Sequence, residues 1–134
     1  MTGEPSEEDF IQAAEDALAE LPAWVRDALE NIAFVVEPFP DREVQREMGL
    51  ESPYDLLGLY QGTPISERGG SYGYGNLPDL IHLYRRPILA FCAVEGIDWR
   101  HGVRHVVVHE IGHYLGLSDE EMEAMEKGED QERS

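Results

Sequence analysis

Between Phe10 and Leu21, apolar residues recur at helical spacing: Phe10, Ala13, Ala14, Ala17, Leu18 and Leu21 form one stripe, with Glu7, Glu8, Glu15, Asp16 and Glu20 around it. Ser6 offers an N-cap, with Asp9 in the reciprocal capping position. Pro22 ends this helix and can open the next, which is expected to run to about Asn31 with Trp24, Val25 and Leu29 as core contacts. The pattern then changes period. Ile32–Glu37 is β-branched and aromatic, reads as a strand, and is closed by Pro38 and Pro40. Asp41–Gly49 is polar, a helical turn or a loop. Tyr54–Gln61 and Leu80–Arg85 are the second and third strands. Between them Gly62–Pro78 carries Pro64, Gly69, Gly70, Gly73 and Gly75, a long loop or wide hairpin.

Pro87 opens a short apolar segment to Val94, one or two helical turns closed by Gly96. Asp98 is the N-cap of the main helix, which continues to Leu115 and stops at Gly116. Val103, Val106, Val107, Ile111, Tyr114 and Leu115 make its buried face. Three consecutive valines are mediocre helix formers, so burial must hold this helix together. Met122 and Met125 mark a terminal helix, and the stretch from Asp119 to Ser134 bears eight acids, expected to be a solvated helix fraying into a tail. Helices together with short strands in 134 residues are expected to make one α+β domain over 1–134, with residues 1–5 and about 127–134 frayed or disordered.

Charge narrows the partners. A net charge of -18 repels nucleic acid and anionic membrane surfaces alike. No basic-then-apolar leader opens the chain and no run reaches membrane-span length, so a cytoplasmic location is expected. The single cysteine, Cys92, lies in an apolar run and reads as a buried residue of a reducing compartment.

The chemistry gathers on the main helix, in His109-Glu110-x-x-His113-x-x-Gly116-x-x-Asp119. His109 and His113 stand one turn apart on one face, a spacing that can hold one zinc ion. Glu110, turned by roughly 100°, lies beside that ion as a general base for a water attacking a carbonyl. Gly116 can take positive φ and turn the chain back, bringing Asp119 within reach as third ligand. Ser118–Glu121 also fits a capping box, so Asp119 has a helix-end role open to it as well.

That pattern resembles the extended motif of metzincin-type zinc peptidases, with Asp119 in place of the usual third histidine and no Met-turn in the fifteen residues that follow. Over most of its length the chain resembles the minimal zincin-like metallopeptidases, small bacterial proteins. The residues carrying the likeness are Leu57-Gly58-Leu59-Tyr60-Gln61-Gly62-x-Pro64, Leu83-Tyr84-Arg85-Arg86-Pro87-Ile88 and Val108-His109-Glu110-Ile111-Gly112-His113. The resemblance implies a reduced zincin-like fold: a small mixed three- or four-stranded sheet packed on the motif helix, here with N-terminal helices. It implies a zinc-dependent peptidase acting on a peptide or protein substrate laid along a sheet edge, which the third strand or the glycine-rich loop would supply. Tyr72, Tyr74 or Tyr84 would then be candidate donors to the oxyanion.

Two rival functions stand beside this one. A non-catalytic module of the same fold would bind a peptide or protein partner without cutting it. A metal-binding or sensing protein would use the ladder His101, His105, His109 and His113, which steps by four. Each step drifts by about 40°, so His101 and His105 are expected at the surface or behind the ligands, not on the ion held by His113. His82 is expected as a satisfied core histidine or a partner to a ligand. Arg68, Arg85, Arg86, Arg100 and Arg104 either offset the acidity near the cleft or pair with local acids.

Overall fold

The computed structural model describes residues 4–29, 31–62 and 77–127. Helix α1 (Glu7–Ala19) starts at the expected capping box: the Asp9 amide donates to Ser6 Oγ and the Ser6 amide to Asp9 Oδ2. Helix α2 (Ala23–Ala28) has Pro22 as its cap residue and not its first helical one, and it ends short of Asn31. Its six residues bury Val25 completely but leave Trp24 49% exposed, so Trp24 is not the core contact the sequence suggested. Strand β1 (Ile32–Glu37) matches its expected bounds. The polar stretch after it forms α3 (Arg42–Glu47), capped by Asp41.

The second strand is shorter than expected. Ser52 and Asp55 form a capping box around a 3₁₀ turn, Pro53–Asp55, which uses up the first residues; β2 is Gly58–Gln61. Strand β3 (Asp79–Tyr84) runs straight into α4 (Arg85–Glu95). Pro87 thus lies in the first turn of a helix that begins two residues earlier than expected, and Gly96 closes it as expected. Helix α5 (Trp99–Leu115) is capped by Asp98 and stopped by Gly116, and α6 (Asp119–Lys127) follows.

The three strands form one mixed sheet in the order β1-β3-β2, with β1 parallel and β2 antiparallel to β3. The third strand is therefore central and cannot be the edge that receives a peptide. Among the described residues the edges are β1 and β2.

Helix α5 touches α1, α4, α6, β2 and β3, which is the burial that its valines require. Val103, Val106, Val107, Val108 and Ile111 pack with Phe10, Ala14, Ala17, Val25, Ile81, Leu83 and Ile88 in one core. Tyr114 is the exception to the expected buried face. It is 51% exposed and stacks on Tyr60, ring centroids 4.2 Å apart. Met122 and Met125 are both buried, so α6 is part of the core and not merely a solvated helix. Cys92 is buried, and burial raises its thiol pKa, with Asp98 adding to the shift. Among the described residues no helix is long and apolar enough to cross a membrane.

Candidate metal centre

Two close approaches fix what surrounds the motif. At Gly58 an added Cβ would lie 2.6 Å from Val106 Cγ1 and 2.9 Å from the His82 carbonyl oxygen. Only glycine lets β2 lie this near α5. At Gly112 an added Cβ would lie 2.3 Å from Met122 Sδ, so α6 folds back against the helix at its motif end.

The first approach places Glu110. The Tyr60 amide, on the outer side of edge strand β2, donates to Glu110 Oε1 at 3.0 Å. Burial raises the Glu110 pKa above the ordinary carboxylate value; the Tyr60 amide and His113 pull it partly back. The Tyr60 hydroxyl donates to Asp79 Oδ2 at 2.6 Å, which holds this end of β2 to β3.

His109 is half-buried and His113 exposed, with ring centroids 6.0 Å apart and edge-on. Burial lowers the His109 pKa, with His105 and His113 adding to it against Glu126 and Asp119, so the ring stays neutral and ligand-competent. After Gly116, at φ 75°, the Leu117 amide donates back to the Gly112 carbonyl at 2.8 Å. This is the expected reversal. Ser118 and Glu121 then form a reciprocal cap, leaving Asp119 exposed as the first residue of α6. The capping is done by its neighbours, and the Asp119 carboxylate is not used for it.

The ladder is more engaged than the sequence suggested. His105 Nδ1 lies 2.8 Å from Glu126 Oε1, and His109 Nε2 lies 3.8 Å from the same oxygen. Among the described residues, the His/Cys/Asp/Glu group whose donor atoms all fall within 4.8 Å of one another is His105, His109 and Glu126. His113 and Asp119 are not in that group. Sequence reasoning places Glu126 with the acidic tail and so misses it. A signal exists, since Glu126 follows Met122 by four residues and so shares its core-facing side.

Other expected roles resolve differently. Tyr84, one of the tyrosines considered for the oxyanion, is buried, and burial and then Glu37 push its hydroxyl pKa up. Tyr72, Tyr74, Arg68 and most of the glycine-rich loop lie outside the described residues, as does the tail beyond Lys127. Among the described arginines, Arg85 and Arg86 pair with Glu4 and Arg104 with Glu20, so these three serve local acids. His82 is satisfied across the sheet, with Nδ1 2.8 Å from Glu37 on β1 and Nε2 2.8 Å from Gln61 on β2.

The donor set fits zinc. It supplies imidazoles at least one of which is held neutral, and carboxylates on the facing helix, the nitrogen and oxygen ligands that this ion takes.

Comparison with known proteins agrees with this architecture. The sequence model of a family described as zincin-like metallopeptidase matches residues 29–129. A solved structure of a conserved hypothetical protein from Thermus thermophilus is similar, with 26% identity and a TM-score of 0.51, covering 83% of this chain and 94% of that one. No curated protein matches the chain.

Proposed function

The chain belongs to the zincin-like metallopeptidase family, and on that premise we propose that it is a zinc-dependent peptidase with Glu110 as general base. The observation that carries this reading is the placement of Glu110. Its carboxylate is anchored by an edge-strand amide and its pKa is raised by burial, the two properties a base working near neutrality needs.

His109, His113 and Asp119 are the proposed ligands. They lie either side of the Gly116 turn, two imidazoles on the end of α5 and a carboxylate on the start of α6. Zinc bound there would supply Lewis acidity to a substrate carbonyl and to the attacking water. Glu110 takes that water's proton at its carboxylate and returns it to the leaving amine. The Tyr60 amide on Oε1 keeps the carboxylate turned toward β2 while it does so. A peptide substrate would lie extended along the outer edge of β2, the strand that Gly58 brings against α5.

The test is hydrolysis of a peptide library by zinc-loaded protein, wild type against Glu110→Gln. Turnover in the wild type that the substitution abolishes is the expected result. Equal turnover in both would overturn the mechanism.

A further inference from the structure

We propose a second transition-metal site on the same helix pair, formed by His105, His109 and Glu126, which shares His109 with the motif and therefore alternates with it. The site would take a zinc-like divalent cation. It stands whether or not the chain cuts peptides; only the alternation rests on the motif reading above.

The geometry points to an ion and not to a simple ion pair. An isolated His–Glu pair needs one ring, whereas here two rings converge on one carboxylate from successive turns of α5. Their centroids are 4.2 Å apart. A tetrahedral zinc with bonds near 2.1 Å separates its donors by about 3.4 Å. The distances to Glu126 Oε1, 2.8 Å from His105 and 3.8 Å from His109, straddle that value, so shifts of roughly half an ångström admit the ion. His101 Nε2 lies 3.7 Å from the other carboxylate oxygen of Glu126.

The carboxylate is also built in. Glu126 is 16% exposed, and the helix that carries it is fixed by buried Met122 and Met125. Arg104 clamps the far end of α6, donating through Nε to the Glu126 carbonyl at 3.0 Å and through Nη2 to the Met125 carbonyl at 3.3 Å. Phe91 stacks on the His105 ring at 5.6 Å and sets its plane.

Alternation follows from chain geometry. Helix α6 runs back along α5, and Asp119 and Glu126 are seven residues apart, about 10.5 Å along the axis and on nearly the same side. One acid thus belongs with the motif end of α5 and the other with the ladder end, and His109 stands between them. A neutral imidazole has one lone pair for a metal, so His109 serves one ion at a time.

Equilibrium dialysis against zinc, with metal read by elemental analysis, and cobalt titration read by visible absorption, test the site without any turnover assay. The double variant His113→Ala/Asp119→Ala lacks two of the three motif donors and keeps the ladder; it is expected to bind one ion per chain. Adding Glu126→Gln or His105→Ala to it should weaken that binding at least about tenfold, the low end of what a ligand's supporting partner contributes. Glu126→Gln preserves shape, and a melt in chelator checks that each variant folds. Absence of binding by a folded double variant overturns the proposal, as does binding that neither added substitution weakens. Wild type taking up two ions at once would overturn the alternation. Failure of the peptidase reading is separable, because it appears in hydrolysis and not in these stoichiometries.

Discussion

The Tyr60 amide donates to the Glu110 carboxylate across 3.0 Å, joining the outer side of the sheet to the motif helix fifty residues later in the chain. One hydrogen bond thus serves both the fold and the proposed chemistry, and two substitutions separate these roles. Glu110→Gln keeps an oxygen for the amide and removes only the base. It is expected to unfold within about 1 kcal/mol of wild type in urea, while hydrolysis falls by about 10²–10⁴. Glu110→Ala leaves the Tyr60 amide without this acceptor and is expected to lose about 1–3 kcal/mol as well.

Gly58 and Gly112 should differ in what they tolerate. A Cβ at Gly58 meets Val106 Cγ1 and the His82 carbonyl oxygen, and that oxygen belongs to the central strand. Gly58→Ala is therefore expected to cost about 1–3 kcal/mol and to loosen the Tyr60–Glu110 bond with it. At Gly112 the obstacle is Sδ and Cγ of the unbranched Met122 side chain and no backbone atom, and alanine gains about 1 kcal/mol of helix propensity. Gly112→Ala should cost less than Gly58→Ala. Urea melts of the two variants rank them directly, and the reverse order would refute the argument.

Much of this fold is readable in the chain itself. Ser6 and Asp98 cap helices where their side chains allow, and Gly96 and Gly116 end them, because these signals act within a few residues. Strand β1 is readable for the same reason. What the sequence hides is pairing between distant segments. Nothing local in Leu80–Arg85 says that it lies between β1 and β2. Likewise nothing local says that Tyr114 leaves the core to stack on Tyr60. The site divides in the same way. The spacing of His109, Glu110 and His113 marks chemistry by helical period alone. Glu126 joins His105 only because α6 folds back over Gly112.

Met125 tests whether the last helix is structural. It is almost fully buried, so Met125→Ala is expected to cost about 2–5 kcal/mol, as much as a substitution in α5. A surface helix would give a change within about 0.5 kcal/mol. Denaturant unfolding decides between them.

Alkaline pH should destabilise the fold through Cys92 and Tyr84. Burial raises both pKa values in the folded state, so between the unfolded and folded values the native protein binds more protons than the unfolded chain. By linkage, stability then falls as pH rises. The contribution of Cys92 begins to be lost as pH passes the ordinary thiol value of 9.0, and that of Tyr84 as it passes 10.0. Melting temperature measured from about pH 8 to 11 should drop, and the pair Cys92→Ala and Tyr84→Phe should flatten the slope. The same burial predicts that a thiol reagent at about pH 8 reacts with Cys92 only after denaturant is added.

His109 is the residue on which both proposed metal positions depend. Zinc at about a hundred times its dissociation constant stabilises a folded protein by about 2.7 kcal/mol when the unfolded chain does not bind it. Wild type should therefore melt several degrees higher with zinc than with chelator. His109→Ala removes a donor from the motif and from the ladder, and the zinc-dependent rise should vanish. In His113→Ala the group His105, His109 and Glu126 is intact, so part of the rise should survive. Adding Glu126→Gln should then shrink the remainder. If His113→Ala alone erases the whole shift, zinc stabilises the protein through the motif ligands only. If His109→Ala keeps it, neither metal position accounts for the binding.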